Sequence, residues 1–173
     1  MFVVTSALLD PFRHNTWATK QLIGVCRNLS PEQLQATSTG TYGTILGTLQ
    51  HIIGAEGRYR FRLTDETVTF PQEPEKTDDL DDLDWMNDEV GAYWEELASS
   101  EFDPDRVIFV AKPRFGDPFE LNAGMLVAQV LNHGNEHRAQ IFTILTTIGV
   151  EPPELDGWAW GQATGRFVLK PAQ

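Results

Sequence analysis

Residues 126–148 read Leu126-Val-Ala-Gln-Val130-Leu-Asn-His133-Gly-Asn-Glu-His137-Arg-Ala-Gln-Ile141-Phe-Thr-Ile144-Leu-Thr-Thr-Ile148. At helical spacing Leu126, Val130, His133, His137, Ile141, Ile144 and Ile148 share one apolar sector, so the segment is a core-facing helix with both imidazoles pointing inward. The pattern predicts a helix over about residues 122–148, stopped by Gly149 with Pro152 and Pro153 just beyond. Two histidines at i and i+4 have Cβ atoms roughly 5 to 6 Å apart, close enough to share one ion through metal–nitrogen bonds of about 2.0 to 2.1 Å. A third ligand must then come from another helix.

Working outward, three more helical segments emerge. One is expected over about residues 10–29, with Asp10 as N-cap, Pro11 at N1, and Ala18, Leu22, Val25 and Leu29 at heptad spacing. Ser30-Pro31 breaks it, because the residue before proline is pushed out of the α region. A second spans about residues 41–63, with Ile45, Leu49, Ile52 and Leu63 on one stripe that also takes in Glu56. A polar, Pro- and acid-rich crossover follows over residues 64–77. The third helix opens on Asp78, Asp79, Asp81 and Asp82, which suit the positive end of the helix dipole, and continues through Leu83, Met86, Val90 and Leu97. Between Asp103 and Leu121 the period changes. Residues 106–110 and 118–121 flank a stretch with Pro113 and Gly116, which predicts a short hairpin. The expectation is an all-α four-helix bundle with a small hairpin between helices 3 and 4.

His51 is the leading candidate for the third ligand, although it lies off the main stripe of helix 2, on a flank with Thr44, Gly47, Thr48 and Ala55. Such small neighbours suit a cleft beside an ion, an exposed surface or a close helix contact equally well. Spacing alone therefore leaves two readings open: a three-histidine metal site, or core histidines satisfied by neighbouring carbonyls and carboxylates. His-Gly-Asn-Glu-His also differs from the zinc-protease motif, in which glutamate directly follows the first histidine; here Glu136 precedes the second. That ordering argues against a peptidase.

The 173 residues fit one domain, 1–173, able to bury a full helical core. A net charge of −12 with no basic stripe argues against nucleic acid and anionic membranes as partners. One cysteine, Cys26, permits no internal disulfide, and no apolar run approaches the ~20 residues of a membrane span. The expected setting is the cytoplasm.

Several side chains carry both a sharp and a plain reading. Glu56 is either a partner of a liganding imidazole, a general base, or, by preference, one half of a buried ion pair with an arginine. Gln140 either holds a water or caps a carbonyl. His14 is read as a satisfied core histidine rather than a fourth ligand or proton shuttle, and Cys26 as an inert buried thiol. The tail segment Gly157-Trp-Ala-Trp-Gly161 leaves two tryptophans exposed unless it folds back on the bundle or meets another subunit.

Three stretches resemble one known family. Residues 41–56, Thr-Tyr-Gly-Thr-Ile-Leu-Gly-Thr-Leu-Gln-His51-Ile-Ile-Gly-Ala-Glu56, are similar to the second helix of the DinB/YfiT-like metalloenzymes. Residues 130–141 together with Leu145-Thr-Thr-Ile-Gly149-Val-Glu-Pro-Pro153 are similar to that family's last helix and its ending, and His14-Asn-Thr-Trp-Ala18 to its first helix. The resemblance implies an up-down-down-up bundle, often a homodimer, with a divalent ion on His51, His133 and His137. Zinc or nickel comes first, then iron, cobalt or manganese.

The resemblance further implies kinship with thiol-dependent S-transferases, which use mycothiol, bacillithiol or glutathione, and with a maleylpyruvate isomerase. Three neutral nitrogen ligands leave an ion its full charge and an open position, as in catalytic rather than structural zinc sites. The functional expectation is a metal-dependent transferase acting on a small-molecule substrate with a low-molecular-weight thiol. The alternatives are a metal-dependent hydrolase and a non-enzymatic metal- or ligand-binding stress protein.

Overall fold

A computed structural model describes residues 7–64, 73–111 and 116–170. Its main elements are four long helices, α1 (Leu9–Cys26), α3 (Ile45–Thr64), α4 (Leu80–Ser99) and α5 (Ala123–Thr147). Two short helices, α2 (Pro31–Leu34) and α6 (Gly157–Ala163), and a hairpin of β1 (Val107–Val110) and β2 (Phe119–Asn122) complete it. The hairpin is antiparallel, pairing Val107 with Asn122 and Val110 with Phe119. Its connecting residues 112–115 lie outside the described residues, as do residues 65–72 of the crossover.

The helix ends follow local chemistry, with three corrections, one being that α3 begins at Ile45 rather than near Thr41. Asp10 is not the cap of α1: the helix begins one residue earlier, and Asp10 sits in its first turn, paired with Arg166 at 2.8 Å. The first helix also ends at Cys26, short of Leu29. Ser30 caps the separate α2 instead, accepting the Gln33 N–H while the Gln33 side chain accepts the Ser30 N–H. The Asp79 side chain caps α4, and Gly149, at φ +75°, closes α5 in a conformation that costs a β-carbon-bearing residue strain.

Two apolar clusters fill the interior. One gathers Leu22, Ile23 and Cys26 of α1, Ile45 to Ile53 of α3, Leu83 and Met86 of α4, and Ile141 to Leu145 of α5. The other gathers Leu9 and Phe12, Leu63, Val90 to Ala98, and Leu126 to Val130. The early half of α1 thus meets the early half of α5 but the late halves of α3 and α4, which makes the order up-down-down-up. Charged rungs on the α1–α4 face agree, running Arg13–Glu95, Lys20–Asp88 and Arg27–Asp81. At ~1.5 to 3 kcal/mol for each fully buried Leu, Ile or Phe, these clusters dominate the stabilisation, while exposed ion pairs contribute ~1 kcal/mol or less.

Between the clusters lies a buried polar layer of Asn15, Thr19, Glu56 and Arg138. Gly91 permits the close α1–α4 contact at this level, since a β-carbon there would come within 2.4 Å of Thr16 Oγ1. The tail folds back: His14 Nε2 meets the Leu155 carbonyl at 2.7 Å, Trp160 packs edge-on to His14, and Trp158 stays 70% exposed. No described helix is long and apolar enough to cross a membrane.

Candidate metal centre

His51 projects from α3 and His133 and His137 from α5, where the two helices run antiparallel. Their ligand-capable atoms all lie within 4.8 Å of one another. His51 Nε2 and His133 Nε2 face each other at 3.0 Å, and the three ring centroids are 4.4 to 4.9 Å apart. His137 is buried, whereas His51 and His133 are half-buried. The main stripe of α3 faces the core, and His51, off that stripe, meets both α5 imidazoles.

Proximity raises the cost of protonation. Burial first, then the fields of His137, His51 and Arg58, hold the His133 imidazole well below its usual value, at about 4, so the ring is a neutral donor at pH 7. Among the described residues, His133 Nδ1 is buried with no hydrogen-bond partner.

Gln140, one turn after His137, fixes the next ring. Its Oε1 lies 2.9 Å from His137 Nδ1 and accepts the Tyr42 backbone N–H at 3.0 Å. Because the Tyr42 amide can only donate, the facing atom must be an oxygen, and His137 Nδ1 must carry its proton. That leaves the Nε2 lone pair free, the form in which a histidine binds a metal while its other nitrogen is held by an outer partner. Tyr42, 53% exposed, stacks on His51 with centroids 4.1 Å apart, and Tyr59 meets His133 edge-on at 5.7 Å. The Tyr59 hydroxyl accepts from Gln129 Nε2. Tyr42 and Tyr59 were not singled out from sequence; Gln140 was, with a different role.

Behind the histidines, the polar layer ties three helices together. Asn15 Nδ2 donates to Glu56 Oε1 at 2.9 Å, and Arg138 Nη1 donates to Asn15 Oδ1 at 2.9 Å and to Thr19 Oγ1 at 3.1 Å. Among the described residues, the ion pair expected at Glu56 is not formed: Arg138 reaches the carboxyl only through Asn15. Glu56 is only 3% exposed, and burial pushes its carboxyl up to about 7 against the lowering pulls of Asn15 and Arg138. Burial likewise lowers Arg138, to about 10. His14 and Cys26 stand outside the cluster, the first on the Leu155 carbonyl and the second buried.

The donor set suits a divalent ion: three imidazoles converge, one tautomer is fixed, and one ring is kept neutral by its surroundings. The model of the DinB family matches residues 1–166. The chain belongs to the DinB family. A DinB-like protein from Bacillus cereus ATCC 10987, solved by crystallography, is similar in fold, with a TM-score of 0.65 at 17% identity over 87% of this chain and 97% of that one. No curated protein matches the chain.

Proposed function

We propose that this DinB-family chain holds one divalent ion on His51, His133 and His137 and works as a metal-dependent enzyme, transferring a low-molecular-weight thiol to small electrophiles. The observation that carries the metal reading is the 3.0 Å approach of His51 Nε2 to His133 Nε2, beside a His137 whose Nε2 is left free by Gln140. Zinc or nickel fits three imidazole donors best. When bound, the ion would supply Lewis acidity and lower the pKa of a thiol or water at its open position.

The chain's own residues do the rest. Gln140 orients His137, the neutral state of His133 keeps a lone pair available, and Tyr42 covers one flank of His51 while leaving an edge toward solvent. A three-nitrogen set adds no negative charge, so a thiolate is not repelled from the site. The transferase step is favoured by family kinship alone, and hydrolysis is its competitor.

The test is elemental analysis of untagged protein beside His51→Ala, His133→Ala and His137→Ala, followed by turnover of a generic electrophile with candidate thiols. About one ion per chain, lost in each variant with helical circular dichroism intact, and thiol consumption that depends on metal, are the expected results. Metal without thiol turnover but with ester cleavage would favour a hydrolase. Metal with neither would favour a binding protein. No metal after adding zinc and nickel would leave the histidines as hydrogen-bonding groups.

A further inference from the structure

Residues 58–62 read Arg-Tyr-Arg-Phe-Arg, three of the 13 basic residues of a chain with net charge −12. Arg60 turns away, over the Tyr93 ring at 4.4 Å. Arg58 and Arg62 follow His51 by seven and eleven residues, which at 100° per residue puts all three within about 20° of one line along α3. At the level of Arg58 two elements flank the line. On one side stands α5, marked by the contacts of Tyr59 with His133 and Gln129. On the other stands the 3-10 turn Pro74–Lys76, pressed so closely that a β-carbon at Gly54 would come within 2.5 Å of Glu75 Oε1.

The two arginines differ in how they are held. Arg58 donates to Glu75 at 2.6 Å, but both side chains are about four-tenths exposed, and a pair of that kind exchanges readily for another carboxylate. Arg62 lies 5.9 Å from the Tyr59 ring centroid, and among the described residues no carboxylate lies within ion-pair distance of it. A cation with no ion-pair partner among the described residues, on the same line as the histidines, is placed for an anion supplied from outside.

We propose that the groove between α5 and the 3-10 turn takes a small molecule with a terminal carboxylate, received by Arg62 and Arg58, whose other end reaches His51, His133 and His137. The inference rests on the metal reading above for one end of the ligand and adds the other. Rises of ~10 Å to Arg58 and ~16 Å to Arg62 along the helix axis set the scale of an extended ligand. A singly charged carboxylate is favoured over a doubly charged phosphate, because the surrounding acidic field penalises the second charge. Planar guanidinium forks also match a carboxylate in two-point contact.

The experiment uses the full chain loaded with cobalt(II), where a coordinated thiolate gives a charge-transfer band. Mercaptooctanoate and mercaptooctanol, equal in length and differing only in the far group, are titrated against wild type, Arg62→Gln, Arg58→Gln and Arg62→Lys. The carboxylate should bind about tenfold more tightly than the alcohol in wild type. That preference should fall to a few-fold in both Arg58→Gln and Arg62→Gln and survive in part in Arg62→Lys. Equal affinities in wild type, or a preference unchanged in both glutamine variants, would overturn the carboxylate site while leaving the metal site standing. A matching octyl phosphonate that binds more tightly than the carboxylate would overturn the choice of anion. Failure to take up cobalt would remove the metal reading and this inference with it.

Discussion

His137 Nδ1 and Gln140 Oε1 lie 2.9 Å apart on successive turns of α5, and the same oxygen accepts the amide of Tyr42, from the loop before α3. One side-chain carbonyl thus sets the tautomer of a candidate ligand and ties the entry loop to the site. Gln140→Leu removes the acceptor at similar size. Metal affinity, measured by competition with a chelator, should fall about 10- to 100-fold with little change in thermal stability of the metal-free protein. An unaltered affinity would mean that Gln140 does not orient the ring.

Glu56 provides a test in pH. Its carboxyl, about 7 in the folded protein against an ordinary value of 4.5, holds its proton more tightly than in the unfolded chain. The associated stability is fully present below about pH 4.5 and is lost as pH rises through about 7, on the order of 3 kcal/mol. Urea unfolding of metal-free Glu56→Gln should lack this dependence, so its stability relative to wild type should rise across that window. A difference constant with pH would show that Glu56 is not held protonated.

Gly134 is read by its surroundings. A β-carbon there would come within 2.6 Å of Asn15 Oδ1 and 2.9 Å of Arg138 Nη1, both pinned in the buried layer. Gly134→Ala gains ~1 kcal/mol of helix propensity but forces the network apart, for a net loss of about 1 to 3 kcal/mol by chemical denaturation. A stabilised variant would show that the layer can yield.

Cys26 should be silent. It is fully buried, and burial pushes its thiol up to about 12, so the thiolate is scarce at neutral pH. Alkylation by iodoacetamide in native protein should follow the rate of global unfolding, and full labelling should appear only in denaturant. Rapid labelling of native protein would contradict its burial.

The candidate site was legible in parts, and each part has its reason. Gln140 could have been paired with His137 from sequence, since i and i+3 residues meet on a helix face. Asn15 was quoted within the first-helix stretch but its bond to Glu56 joins residues 41 apart, which no local pattern encodes. Tyr42 lies outside regular structure, so no period places its ring over His51. The end of α1 at Cys26 escaped because Leu29 keeps the apolar spacing although the chain has already left the helix.

The sequence by itself determined the four long helices, the hairpin, the inward pair His133 and His137, and the apolar stripes, because each is a period repeating along one segment, whereas the short α2 and α6 are too brief to carry a period. Only the tertiary structure decided that His51 faces those two rings, that Arg138 reaches Glu56 through Asn15, and that Arg62 shares a line with the histidines. These depend on how far α3 is rotated against α5, and that rotation is set by packing both helices at once, with Gly54 admitting the 3-10 turn on one side and the apolar clusters filling the other.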